Sequence, residues 1–289
     1  MSAAYIALAV AAITAISRIF LKRGLEASNP LTGMFVSLAV CGAVITALAL
    51  ATVPATEVTL QGVAIFAGIG LFAPPVVRYL TYVGIDKVGA ARSSPIRSLT
   101  PFFAILLAIT FLGEEARPNV LGGAVLIVGG AFLLSKKPTK KSPQRSWRKW
   151  DLLYPFSAAI LAGCAANLRK AGFAFLDSPI LAAASTAIAA LIVFSTYMLS
   201  AGRRGELDFN PASIGWFLVA SACTSVSIVL NLVALKLGDV SVVSPILASS
   251  PLFVILFSAI FLRKIERVTI TLVAGALLTF AGVESIIFL

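Results

Sequence analysis

Ten apolar runs, each about 20 residues long, constrain this chain more than any other feature. They fall at roughly 3–22, 31–52, 60–85, 90–112, 118–135, 152–175, 179–200, 213–236, 241–262 and 268–288. About 20 residues rising 1.5 Å each cross the hydrocarbon core of a bilayer, so each run reads as a membrane-spanning helix. The chain is 59% hydrophobic and 12% charged, roughly half the charge of a soluble domain. The connections are short and leave no room for a soluble domain. Within lipid every backbone polar group needs an internal partner, so the expected fold is an all-α membrane bundle of ten helices. The first run lacks a basic lead-in and exceeds the length of a signal core, so it is expected to be a span.

The runs repeat. "SPIRSLTPFFAILLAITFL" at 94–112 and "SPILASSPLFVILFSAIFL" at 244–262 agree at nine of 19 positions, at an offset of 150. "GAVLIVGG" at 123–130 meets "GALLTFAG" at 275–282, and "FLKRGLEASNPL" at 20–31 meets "NLRKAGFAFLDSPI" at 167–180 with gaps. Spans one to five therefore correspond to six to ten. Five is odd, so the second half enters the membrane upside down. The expected organisation is two inverted five-helix repeats, 1–135 and 152–289, joined by a basic linker at 136–151. Such repeats recur in secondary transporters, where two alike halves exchange conformations and open a central site to alternate sides.

The stretch "SKKPTKKSPQRSWRKW", 135–150, holds seven basic residues and no acid. If the loops alternate, the linker's side of the membrane carries 17 Lys and Arg and the opposite side four: Arg117, Arg169, Lys170 and Lys236. Basic short loops stay in the cytoplasm. The linker is accordingly placed inside, both termini outside, and the protein in the plasma (inner) membrane as a multi-pass protein. The net charge of +11 is explained by topology and not by a nucleic-acid partner. Trp147, Trp150 and Trp216 fall at span ends, as interfacial anchors do.

"YVGIDKVGAARSSPIRSLTPFFAILLAITFLGEEARPNVLGGAVLIVGGAFLL" and "LVALKLGDVSVVSPILASSPLFVILFSAIFLRKIERVTITLVAGALLTFAGV" each resemble the core of the EamA repeat of the drug/metabolite transporter superfamily. In that pattern a helix with a mid-span Pro ends in Leu-Gly-Glu, and a Gly-rich helix follows. Pro101 and Glu114 match in the first half; Pro251 matches in the second, where Arg-Lys-Ile-Glu replaces Gly-Glu. The resemblance covers essentially the whole chain. It implies a metabolite carrier whose cavity is lined by spans one, three, four, six, eight and nine, and it leaves the substrate open among amino acids, sugars, phosphorylated metabolites and drugs. The resemblance favours termini in the cytoplasm; the charge count places them outside.

A charge within a span is costly and usually faces an interior cavity. Arg78, Arg97 and Arg18 qualify, all toward the linker's side and all in the first half. At an offset of 150 Arg78 meets Ile228 and Arg97 meets Leu247. A repeat that keeps its prolines and loses its charges suggests a polar substrate held asymmetrically by an anion or carboxylate clamp, since Arg offers planar, permanently charged donors. Snorkelling to the interface is the alternative. Tyr79, Tyr82, Asn167, Asn231, Ser94 and Ser244 are candidate cavity residues, with helix-to-helix hydrogen bonding as their other use. Pro101, Pro251, Pro95 and Pro245 are expected to bend spans four and nine. Arg169 and Lys170 are placed at the outer mouth. The glycines at 122, 123, 129, 130, 275 and 282 are assigned to close helix packing.

The chain has no His, and Glu284 is the one carboxylate inside a span. Proton-coupled carriers commonly use an intramembrane Asp, Glu or His, so facilitated diffusion or exchange is favoured. No catalytic or metal constellation is legible: Cys41, Cys164 and Cys223 are scattered among spans. The expectation is a non-enzymatic secondary carrier of a small polar metabolite, an amino acid or organic anion, needing no cofactor or metal and working as a monomer in the lipid bilayer. A lipid flippase or a non-transporting membrane subunit is the alternative.

Overall fold

The computed structural model describes residues 3–88, 93, 96–115, 117–135, 148–200, 202–261 and 270–288. Among them there is no strand. The first half supplies α1 (Ala3–Gly24), α2 (Pro30–Thr52), α3 (Leu60–Val88), α4 (Thr100–Leu107, continued by a wider turn over Ala108–Leu112) and α5 (Pro118–Ser135). The second supplies α6 (Leu153–Gly172), α7 (Pro179–Ser200), α8 (Pro211–Leu237), α9 (Val240–Leu247), α10 (Ser250–Phe261) and α11 (Ile270–Phe288).

Local chemistry explains where several helices start. Pro30 and Pro211 open α2 and α8, where their missing N–H costs nothing. The preceding Asn29 and Asn210 cap these helices: Asn29 Oδ1 accepts from Thr32 N at 2.9 Å, and Asn210 Oδ1 from Ala212 N at 3.0 Å.

Six helices are long and apolar enough to cross a membrane: α1, α2, the Leu60–Thr81 part of α3, Lys149–Gly172 around α6, α7 and α8. Four further apolar stretches, Thr100–Leu112, Pro118–Leu133, Val240–Val254 and Ala274–Phe288, are shorter. The sequence led to ten runs of spanning length, so runs four, five, nine and ten fall short of expectation among the described residues. Runs four and nine share an interruption. The helix opens into a turn at 98–99 and again at 248–249, just ahead of Pro101 and Pro251. Proline cannot bond to the carbonyl four residues back. In α4 the carbonyl freed in this way, Arg97 O, accepts from Thr100 Oγ1 at 2.8 Å. Pro245 lies inside α9; Pro95 lies outside the described residues. Pro74 and Pro75, not among the expected bends, sit inside α3 without ending it.

α1 packs along α8, and α3 along α6 and α7; α2 meets α7 and α8; α4 meets α6, and α1 meets α9 and α10. α5 packs along α11. A Cβ on Gly123 would lie 2.7 Å from Gly282 O, and one on Gly130 would lie 2.7 Å from Gly275 O. Only glycine lets these backbones approach so closely. Gly122 and Gly129 face open space instead, so the packing assigned to them does not occur. Phe111, Val125 and Phe280 stand on the outside, 79%, 72% and 60% exposed, where a soluble protein would place polar groups.

Candidate functional site

A cavity of about 330 Å³ lies among the helices. Its walls come from the middle stretches of the long helices: Ser37, Leu38 and Cys41 of α2; Ala73, Pro74, Val77 and Arg78 of α3; Thr186, Ala187 and Ala190 of α7; Thr224 and Ile228 of α8. Arg97, just ahead of α4, Ala162, Ala165 and Arg169 of α6, and Ala183 of α7 complete it. Three arginines therefore share one small space, and among the described residues its lining holds no carboxylate and no other charge. A larger hollow, about 540 Å³, lies between α4 and α5. It is lined by Phe102, Leu106, Ile109, Val125 and Phe132 and faces outward, as a lipid-facing groove would.

The guanidinium groups are held differently. Arg97 Nη1 donates to Ala158 O at 2.5 Å and to Thr100 Oγ1 at 3.3 Å, so α6 fixes it where the broken helix begins. Arg18 Nη1 donates to Ser250 Oγ at 3.1 Å. Arg18 does not line the cavity. Thr100 and Ser250 are 150 residues apart, the offset of the repeat. Each hydroxyl beside a helix-breaking proline therefore takes up an arginine. Among the described residues Arg78 and Arg169 have no hydrogen-bond or ion-pair partner. Near Arg78, Cys41 donates to Ser221 O at 3.6 Å and accepts from Ser225 Oγ at 3.3 Å.

The other candidates scatter. Tyr79 follows Arg78 in the chain but lies ~100° further round the helix, and it is 58% exposed on the outer surface. Asn167 is buried in a structural role: Nδ2 donates to Ala104 O and to Gly163 O, both at 3.0 Å, tying α6 to α4. Its Oδ1 and that of Asn231 are buried without a hydrogen-bond partner among the described residues. Neither Asn231 nor Ser244 lines the cavity. Ser94 and the Tyr82 side chain lie outside what the structure describes. Arg169, expected at the outer mouth, faces the cavity instead, while its neighbour Lys170 donates to Gly238 O at 2.7 Å. Adjacent residues on a helix point to different sides, and hydropathy reports depth without direction.

Ser37, Thr186 and Thr224 line the cavity without standing out in the sequence, and Cys41, expected only as one of three scattered cysteines, lines it too. Ser37 and Cys41 are four apart, one turn of a helix face, and that spacing was an available signal. Glu114 proves to be a bridge. Gly113, at φ 67°, turns the chain out of α4 in a left-handed conformation that favours glycine. Glu114 Oε1 and Oε2 then accept from Val240 N and Ser241 N at 2.7 and 2.9 Å, capping the start of α9. A carboxylate at a helix N-terminus satisfies free amides and opposes the helix dipole.

The sequence profile of the EamA-like transporter family matches residues 1–136 and 149–288. Curated relatives match over a short stretch. Phosphoenolpyruvate/phosphate translocator 1, chloroplastic, of Arabidopsis thaliana is 44% identical over 55 residues, 19% of this chain and 14% of the relative. A chloroplastic triose phosphate/phosphate translocator of non-green plastids, from Brassica oleracea var. botrytis, is 38% identical over 55 residues, with the same shares. The match thus spans 14% of the length of these relatives. A solved crystal structure superposes with a TM-score of 0.75 at 14% identity, covering 98% of this chain and 94% of the other. At that identity the likeness speaks for the fold alone.

Proposed function

The chain belongs to the EamA-like transporter family, and from that premise we propose that it carries a small organic anion across the membrane by alternating access through the arginine-lined cavity. The observation that carries this is the lining itself: Arg78, Arg97 and Arg169 in about 330 Å³, with no carboxylate among the described lining residues. A cation would be repelled. A zwitterionic amino acid would find donors for its carboxylate but no anionic partner for its ammonium group. The organic-anion half of the sequence expectation is therefore preferred. The names of the plastid relatives, translocators of phosphoenolpyruvate, triose phosphate and phosphate, agree with an anion.

Alternating access rests on reading the fold as ten spans in two inverted repeats, 1–135 and 152–289. The helix contacts support it. Exchanging the halves sends α1 on α8 to α6 on α3, and the Gly123 contact with Gly282 to the Gly130 contact with Gly275. The plasma membrane and an inward linker remain our proposal from the charge count. A Cys placed at Ser142, with the native Cys removed, should react in intact cells only with membrane-permeant thiol reagents; labelling by an impermeant reagent would reverse the orientation.

The function is tested with purified protein in liposomes. Saturable uptake of carboxylates or phosphate esters, without uptake of matched cations, is expected. Scrambling of lipid in place of solute uptake would move the protein to the flippase reading, and neither activity would favour a membrane subunit.

A further inference from the structure

We propose that Arg169 is a third arm of the substrate site and that the substrate carries two separate anionic groups on a short carbon frame; this rests on the anion-carrier reading above. Arg78 comes from α3 in the first half and Arg169 from α6 in the second, yet both line one cavity. Arg97 is already engaged by Ala158 O and Thr100 Oγ1. Arg78 and Arg169 are not: among the described residues neither has a hydrogen-bond or ion-pair partner. Among the described residues the lining offers hydroxyls and apolar groups but no acid.

An unpaired charge held away from bulk water is costly, and it is compensated only by a partner of opposite sign or by several polar groups. A monoanion forks onto one guanidinium and leaves the other uncompensated. A dianion with its charges at the two ends satisfies both, and in doing so joins the two halves through itself. The cavity bounds the frame. At ~30 Å³ per water, 330 Å³ is room for about ten water-sized volumes. That suits a short dicarboxylate or a phosphorylated short carboxylic acid. Lys170 supplies an internal contrast. It is the next residue and also basic, but its Nζ is spent on Gly238 O, so the helix assigns one cation to packing and the next to the cavity.

The test measures ligand-induced thermal stabilisation of the purified full-length chain with matched probes: succinate against butyrate, and phosphoglycolate against glycolate. The wild type should bind each dianion at least roughly tenfold more tightly than its monoanion, one extra charge-assisted pair being worth that much or more. Which of the two dianions binds more tightly separates a carboxylate from a phosphate as the second group. Arg169→Ala should bring the dianion-to-monoanion ratio close to one. Arg169→Gln serves as a second variant that keeps the side-chain volume. A purely structural role for Arg169 would lower stability without moving the ratio. Equal binding of monoanions and dianions by the wild type, or an unchanged ratio in both variants, overturns the inference and leaves an anion carrier standing. Binding of no anion at all overturns both.

Discussion

The α5–α11 crossing and the central cavity draw on the same repeat and use it in opposite ways. At the crossing the halves are interchangeable: Gly123 lies against Gly282 as Gly130 lies against Gly275. In the cavity they are not. Arg78 and Ile228 stand at equivalent positions of the repeat and line the same space, one permanently charged and the other apolar. Close backbone approach is a demand both halves share, because neither can pack without it. A charge at depth is costly wherever it stands and was retained on one side, where a ligand can compensate it. The broken helices lie between these extremes, with hydroxyls at both Thr100 and Ser250 but arginines that reach them from different helices.

This contrast is breakable by mutation. The largest effect is expected at the asymmetric pair. Arg78→Ala should cut transport efficiency roughly 30- to 1,000-fold, the equivalent of about 2–4 kcal/mol for removing one partner of a desolvated charge pair. Ile228→Ala should change it by less than about threefold, since only lining volume is lost. Comparable losses from both substitutions, measured as uptake per folded protein in liposomes, would erase the distinction between the halves.

The symmetric pair comes next. Gly123→Leu and Gly282→Leu should each lower stability by about 1–3 kcal/mol or more through overpacking, and the two should resemble one another. Gly122→Leu and Gly129→Leu, which meet no atom within 4 Å, should stay within ~0.5 kcal/mol of wild type. Thermal unfolding in detergent separates the two groups, and a severe defect at Gly129 would show that the outward groove is packed. The smallest of these effects belongs to the hydroxyls. Thr100→Val and Ser250→Ala should each cost about 0.6 kcal/mol, typical of a side-chain hydrogen bond within a membrane bundle. Double-mutant cycles should couple Thr100 to Arg97 and Ser250 to Arg18; coupling of Thr100 to Arg18 instead would contradict the contacts described.

What the sequence disclosed and what it hid follow from the same physics. Long apolar runs and a repeated proline helix are one-dimensional signals, so the helical membrane fold was legible. Arg78 and Arg97 stood out because charge is rare inside such runs. Tyr79 misled because neighbours in sequence diverge round a helix, and Arg169 because distance from a span end measures depth and not facing. Ala162, Ala165 and Ala187 were invisible, since an alanine that walls a cavity looks the same as one that fills a core. The role of Glu114 was beyond reach because its partners, the amides of Val240 and Ser241, are 126 and 127 residues away.

That cap has a consequence for the resting carrier. Two backbone amides are bonded to a carboxylate only while the end of α4 lies against the start of α9, so any arrangement that parts them loses both bonds. A contact made in one arrangement and absent from the other biases their populations by its differential free energy, and by nothing else. If the carrier alternates access as proposed, its preference for one orientation is weighted by a helix cap outside the proposed substrate space, and it can be retuned without altering what is carried. Glu114→Gln keeps the shape and removes the charge. It should move the balance severalfold toward the arrangement in which α4 and α9 separate, read as increased labelling of a single cysteine at Asp239 in a cysteine-free background, with dianion affinity unchanged. Labelling that does not respond to the substitution would mean that the cap survives in every state the carrier visits.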